Sequence, residues 1–490
     1  MASNSFDPDF GSALDAAAAV RAKSVSSVEL TQHVLRRIDE YQPKLNAYVY
    51  QLRDAALAQA KAADEALARG DSTGVFHGVP INVKESFGVA GQPCTWGMAM
   101  LRNAKAPADA TAVRRLLEAG AVLLGATNVP ETLMDGQSFN DIYGTTNNPW
   151  DVSLTPGGSS GGTAASLAAG MAYLSIGSDI GGSIRAPASF CGIYGHKPTL
   201  DIVPLTGHSP GGLQGAPGFS TLLAAAGPMA RTAEDLEAAL RILAGPEAPD
   251  SKAFRWTLPP ARRENLRDFR IGFVLEDPIA PVSVETKAVL EQAIKACERA
   301  GATIKEGWPA RFSFGDLLEN YQFHLGAFDH SMVPPNFRDF ARARLETRPP
   351  RFREGALSTF ADWQTQNMRR LGHRALWERY FAEFDVFLLP TTFTAAFAHD
   401  HSPADTRMIP MPEGGAAPFW NLLTYITPAS LTGCPATTAP VGLSRSGLPV
   451  GIQITGPYLE DATTIRFAAL LARELGGFQP PPGYGRATNC

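Results

Sequence analysis

Apolar residues in the first seventy positions recur at three-to-four spacing, with Val28, Leu30, Val34, Leu35 and Ile38 on one face and His33 beside them, as in an amphipathic helix. Ala55 to Ala68 is an alanine-rich run stopped by Gly70. Together they predict an N-terminal helical arm over residues 1–70. From Val79 the texture changes to short apolar runs alternating with helical stretches: Val79–Val83, a helix over Ala110–Ala119, then Ala121–Leu124. The same texture returns at Arg270–Leu275, Val282–Ala300, Ala302–Ile304, Val386–Leu389, Ala439–Leu443 and Val450–Ile454, and in a helix over Ala462–Leu475 stopped by Gly476-Gly477. This alternation predicts an α/β core assembled from both halves of the chain.

Residues 308–415 read differently. They are rich in Phe, Arg and Pro, with helical pieces around Phe314–Phe328 and Phe337–Arg348 and a loop around Pro403–Gly415. We read them as a variable, substrate-facing layer. Nothing repeats at a period of 20–50 residues, which argues against a solenoid.

At 490 residues the length prior is about three domains, although α/β folds often run longer as one unit. Charged residues are 19% of the chain, against about 25% in an average globular protein, and 43 Lys+Arg offset 48 Asp+Glu to a net charge of −5. No basic block stands out, so a charge-based nucleic-acid surface has no support and a small neutral or weakly charged ligand fits better. Cys94, Cys191, Cys297, Cys434 and Cys490 form no CxxC pair, which argues against a disulfide framework or a zinc site. The small-residue stretch Thr163–Gly177 falls short of the ~20 apolar residues of a membrane span, and Met1–Phe10 has no secretory pattern. A soluble, cytoplasmic protein without metal or cofactor is the expectation.

The unusual segment is Thr155–Arg185, with eight glycines and eight Ser/Thr residues but only two charges, Asp179 and Arg185. Gly157–Gly162 and Gly177–Ser183 look like two backbone cradles holding hydroxyls, where missing side chains allow close approach. A plain pair of glycine-rich loops is the alternative. A phosphate loop fails because no lysine follows the glycines. The G-x-S-x-G elbow matches twice, at Gly157/Ser159/Gly161 and Gly158/Ser160/Gly162, yet Asp151–Pro156 before it is no core strand.

Gly157–Gly162, Gly177–Arg185 and Gly195-His196-Lys197-Pro198-Thr199 together resemble the amidase signature family, hydrolases of the carboxamide C–N bond. The resemblance extends to Gly78–Glu85, Gly125–Asn128, Asn148-Pro149-Trp150, Asp385–Thr391 and Gly447–Gln453, and is weakest over 200–380. It implies one large α/β domain spanning 1–490, with a mixed central β-sheet flanked by helices and a catalytic signature region at 75–240. It also implies a catalytic lysine at Lys84, a bridging serine held by a cis peptide at Ser159, and a nucleophile at Ser183. His196 departs from the family, whose members usually carry an apolar residue there, and we read it as a packing variation beside Lys197.

Serine needs a neighbouring base, and Ser-Lys pairs are an accepted variant of the histidine triad. Lys84 meets that need only if burial lowers its pKa toward neutrality, and it ends an apolar run; Glu85 alternates to the other face. Behind Gly181-Gly182 the amides of Ile180, Gly181, Gly182 and Ser183 are expected to converge on one oxygen, as an oxyanion hole. Asp179 and Arg185 are expected to hold that loop, and His77, His196, His324, His399 and His401 to be surface or packing residues.

The expected reaction is hydrolysis of a small amide through an acyl-enzyme. Aryl amides or carbamates with the same triad, and the glutaminase component of a tRNA-dependent amidotransferase, are alternatives the resemblance also allows. A non-catalytic binding protein on this scaffold is opposed by the intact Lys84, Ser159 and Ser183. Phe139, Tyr143, Phe312, Phe314, Tyr321, Phe323, Phe419 and Trp420 hint at an apolar acyl pocket, and a homodimer is left open.

Overall fold

The computed structural model describes residues 6–71, 73–212, 220–333, 338, 342 and 344–485. Among the described residues, eleven strands make one sheet: β1 Tyr48–Gln51, β2 Pro80–Lys84, β3 Val122–Thr127, β4 Leu174–Asp179, β5 Tyr194–Lys197, β6 Ala225–Ala230, β7 Arg270–Phe273, β8 Thr303–Glu306, β9 Val386–Pro390, β10 Ala436–Leu443 and β11 Pro449–Thr455. Their order is β1-β3-β2-β4-β6-β5-β10-β11-β9-β7-β8, so the first half of the chain fills one side of the sheet and the second half the other, joined where β10 pairs with β5. The β3-β2-β4 and β9-β7-β8 neighbours are parallel and the others antiparallel. It is the mixed sheet expected of a single large α/β domain.

Burial on both faces explains the continuous apolar runs of β2, β3 and β9, in which every residue is buried. The main core joins these strands to helices Ser27–Leu45, Gly161–Ala168, Ala233–Leu243 and Asp461–Leu475 through residues such as Val34, Leu167, Leu236 and Phe467. A second, aromatic cluster gathers Trp377, Phe314, Phe387, Phe393 and Tyr425.

Three strands escape the apolar pattern. β4, β5 and β6 read LSIGSD, YGHK and AAGPMA, rich in residues with little strand preference. They become strands because each is paired on both sides: Ile176 lies opposite Val83 on one side and Pro228 on the other. A Cβ on Gly177 would lie 2.9 Å from both Met229 Sδ and Ser160 Oγ, so glycine there is demanded by close packing. The expected cradle over Gly177–Ser183 is corrected accordingly, because Gly177, Ser178 and Asp179 are strand and only the residues after Asp179 form loop.

The arm at 1–70 also differs from expectation. Helices Ala13–Arg21, Ser27–Leu45 and Arg53–Arg69 are present, but β1 sits between them and pairs antiparallel with β3 as an edge of the sheet. Within residues 308–415, β9 is an inner strand, and Phe312 and Phe314 pack on Trp377 and Trp308. Around Phe337–Arg348, residues 337, 339–341 and 343 lie outside the described residues, as do Met1–Ser5, Leu213-Gln214 and Cys490, and Arg344–Thr347 is a short 3-10 turn.

Candidate active site

β2 and β4 are parallel neighbours, so their C-terminal ends, carrying Lys84 and Ser178-Asp179, lie side by side at the same end of the strands. Lys84 is inaccessible to solvent, and its Nζ donates to Ser159 Oγ at 2.7 Å and to Ser178 Oγ at 3.0 Å. Burial pulls its pKa down to about 7, against a smaller upward pull from Asp179. Such an amine is partly uncharged near neutral pH and can take a proton from a hydroxyl it touches.

Ser159 follows a cis peptide after Gly158 and stands just before the helix Gly161–Ala168. The amide of Ser160 donates to Ser183 O at 3.1 Å, which fixes the Ser159 segment against the loop carrying Ser183. Ser159 and Ser183 line the same cavity of about 300 Å³, with Ser178, Ile180 and Gly181. Asp151–Leu154 makes only isolated bridges, and Ser160 Oγ lies 3.5 Å from Ser178 O, so the strand-to-elbow context is missing.

The loop after β4 is held by Asp179. Its Oδ1 accepts from Gly182 N at 2.9 Å and its Oδ2 from Ile184 N at 3.0 Å and Arg185 N at 3.3 Å. This revises the expected donor set: the Gly182 amide is directed at Asp179, and what glycine contributes there is a φ of +90°. Ile180 and Gly181 border the cavity, and Tyr321 donates its hydroxyl to Ile180 O at 3.2 Å. Burial alone would raise the Asp179 carboxyl, but the Arg185 guanidinium and its hydrogen bonds outweigh that and hold it at about 2.

Neighbouring polar residues serve structure. Glu85 points away from Lys84 and accepts from Thr95 Oγ1 at 2.7 Å and Trp96 N at 2.9 Å, with burial raising its pKa to about 7. His196, fully buried, bonds Thr437 Oγ1 at 2.9 Å and Asp461 Oδ1 at 3.1 Å. His77 is buried and meets Ala63 O, while His401 stacks on Phe139. Among the described residues no group of three His, Cys, Asp or Glu could hold a metal ion, and no helix is long and apolar enough to cross a membrane.

Of the aromatics singled out in the sequence, Tyr321, Phe419 and Trp420 line the cavity. Phe312 and Phe314 belong to the aromatic core, and Phe139 and Tyr143 lie outside the cavity wall. Leu325, Phe328, Met332, Leu423, Trp96 and His208 line it without having been anticipated. A signal existed for three of them, because Tyr321, Leu325, Phe328 and Met332 stand at i, i+4, i+7 and i+11 on the helix Phe314–Ser331 and its cap. Among the described residues, charge enters the wall only through Asp179, paired with Arg185, and Asp135, which takes a bidentate contact from Arg407 at 2.8 and 2.9 Å.

Known proteins resemble this chain over most of its length. The A subunit of a glutamyl-tRNA(Gln) amidotransferase from Anaeromyxobacter dehalogenans is 33% identical, over 96% of this chain and 97% of that one. The crystal structure of an amidase superposes with a TM-score of 0.76 at 28% identity, over 95% of this chain and 100% of the other. The corresponding amidotransferase component from Thermotoga maritima gives 0.74 at 25% identity, over 93% and 94%. The Amidase family profile matches residues 29–465, and with that the chain belongs to the amidase signature family.

Proposed function

We propose that the protein hydrolyses the C–N bond of small, uncharged carboxamides, with Ser183 as nucleophile, Ser159 as proton relay and Lys84 as base. The observation that carries this is the solvent-free contact of Lys84 Nζ with Ser159 Oγ at 2.7 Å, beside a cavity that both Ser159 and Ser183 line. Neutral Lys84 takes the Ser159 proton while Ser159 takes that of Ser183, whose Oγ bonds to the carbonyl carbon. The oxygen that becomes negative is stabilised by the amides of Ile180 and Gly181, donors worth about 2.7–4 kcal/mol each by precedent. The proton held on Lys84 returns through Ser159 to the nitrogen, the C–N bond breaks, and water releases the acyl group by the same relay. No step calls for a metal or an organic cofactor.

The walls support an apolar substrate. Tyr321, Leu325, Phe328, Phe419 and Trp420 supply area, and no unpaired cation or carboxylate among the described lining residues is available to hold a charged acyl group. Aryl amides and carbamates present the same carbonyl–nitrogen geometry and belong to this reading. We place the reaction in the cytoplasm, with no nucleic-acid partner and a homodimer as the oligomer to test.

The relatives favour a second reading, the glutaminase component of a tRNA-dependent amidotransferase, which would make the partners proteins. Glutamine carries an ammonium and a carboxylate, and the described walls offer both only groups that are already paired. A hydrolysis panel of aliphatic amides, aryl amides, carbamates and glutamine, with size-exclusion of the purified chain, separates the two. Turnover of neutral amides by the isolated chain supports the first reading; turnover of glutamine alone supports the second.

A further inference from the structure

We propose that a largely apolar chamber behind the cavity is a second binding subsite, for the distal end of a long apolar acyl group, and that Leu325 is the partition controlling entry to it. The inference rests on the amide-hydrolase reading above. The chamber holds about 100 Å³, of the order of apolar cavities that take up small hydrocarbons. Tyr321, Leu325, Trp420 and Leu423 line both it and the catalytic cavity, so one layer of side chains divides them. Ile279, Leu318 and Phe352 line its far side, where Ile279 is exposed to solvent. Its charge is neutralised, because Arg348 lies over the Trp420 and Phe352 rings and pairs with Asp405 at 3.1 Å.

The acyl half is assigned to this side by the loop the partition touches. Tyr321 bonds Ile180 O, and a Cβ on Gly181 would meet Leu423 Cδ2 at 2.9 Å, so the partition packs against the segment proposed to hold the carbonyl oxygen. The leaving nitrogen must face Ser159, whose neighbour Gly158 packs on Asp135 and Gln137, and neither of those borders the rear chamber. Of the partition residues, Leu325 is the one to remove. Tyr321 and Leu423 brace the loop, and Trp420 carries Arg348.

The test is kcat/KM over p-nitroanilides of straight-chain acids from acetyl to decanoyl. In the wild type it should rise with chain length and then fall where the chain meets Leu325. Leu325→Ala should shift that optimum to longer chains, with about a fourfold gain for each methylene accepted beyond it, which corresponds to about 0.8 kcal/mol. Adding Leu318→Trp, which fills the rear chamber, should return the optimum to its original length. A parallel series varying only the amine half should keep its optimum. If Leu325→Ala does not fold, Leu325→Val should give a smaller shift of the same sign. An optimum that stays put in whichever variant folds, or one that moves in the amine series instead, overturns the subsite while leaving amide hydrolysis standing. A wild type that turns over no neutral amide overturns both.

Discussion

Arg185 grips Asp179 through two hydrogen bonds, Nη2 to Oδ1 at 2.7 Å and Nε to Oδ2 at 3.0 Å, across the turn that carries Ser183. Neither side chain reaches solvent. The remaining guanidinium contacts run to Ile426 O, Gln453 Oε1 and Ser430 Oγ, so the turn after β4 is tied to β11 and to the helix Thr427–Thr432. A buried pair with its donors satisfied contributes modestly as a pair, but a single missing partner leaves an uncompensated charge.

Arg185→Ala should therefore cost about 3–5 kcal/mol in stability, read from urea unfolding, and should abolish turnover with it. Arg185→Lys should recover little, because an ammonium cannot reproduce the fork that reaches Asp179, Ile426, Gln453 and Ser430 together. The pair also gives stability a pH signature. The folded carboxyl, at about 2, lies below its ordinary 3.8, so its contribution is complete above about pH 4 and is lost as pH falls toward 2.

Lys84→Ala should lower kcat by several orders of magnitude without loss of fold, and Lys84→Arg should stay equally low, since a guanidinium remains protonated. In the wild type the base must be uncharged in the free enzyme. With Lys84 near 7, kcat/KM should rise with pH through a single acidic limb centred near neutrality, reporting the coupled Lys84, Ser159 and Ser183 system. A profile flat from about pH 5 to 9 would remove Lys84 from the role of base.

Ser183→Ala should abolish turnover with little change in melting temperature, and a sulfonyl fluoride probe should mark Ser183 by peptide mass spectrometry. Ser159→Ala should be impaired less, if water takes the place of its hydroxyl beside Lys84. Labelling at Ser160 in place of Ser183 would revive the elbow arrangement, despite the hydrogen-bond distance of Ser160 Oγ from Ser178 O.

Tyr321→Phe removes only the hydroxyl that braces Ile180 O at 3.2 Å. One neutral hydrogen bond is worth about 1 kcal/mol, so kcat should fall about fivefold with KM nearly unchanged. A change confined to KM would mean that the hydroxyl contacts substrate and leaves the loop alone.

Much of this protein was written locally. β2, β3, β9 and β11 announce themselves as apolar runs, because a strand buried on both faces has few polar positions, and the helix Asp461–Leu475 ends where Gly476 adopts a left-handed conformation. Lys84, Ser159 and Ser183 were legible in the family resemblance of their flanking residues. What the sequence left open depends on partners far along the chain. β4 is a strand because β2 and β6 pair with it, and the donor at Gly182 is taken up by Asp179 because Arg185 and β11 fix that carboxylate. Phe314 went to the core and Phe328 to the cavity although both are phenylalanines on one helix. Hydrophobicity decides that a side chain leaves water, whereas which void it fills is decided by residues that meet only after the whole sheet has closed.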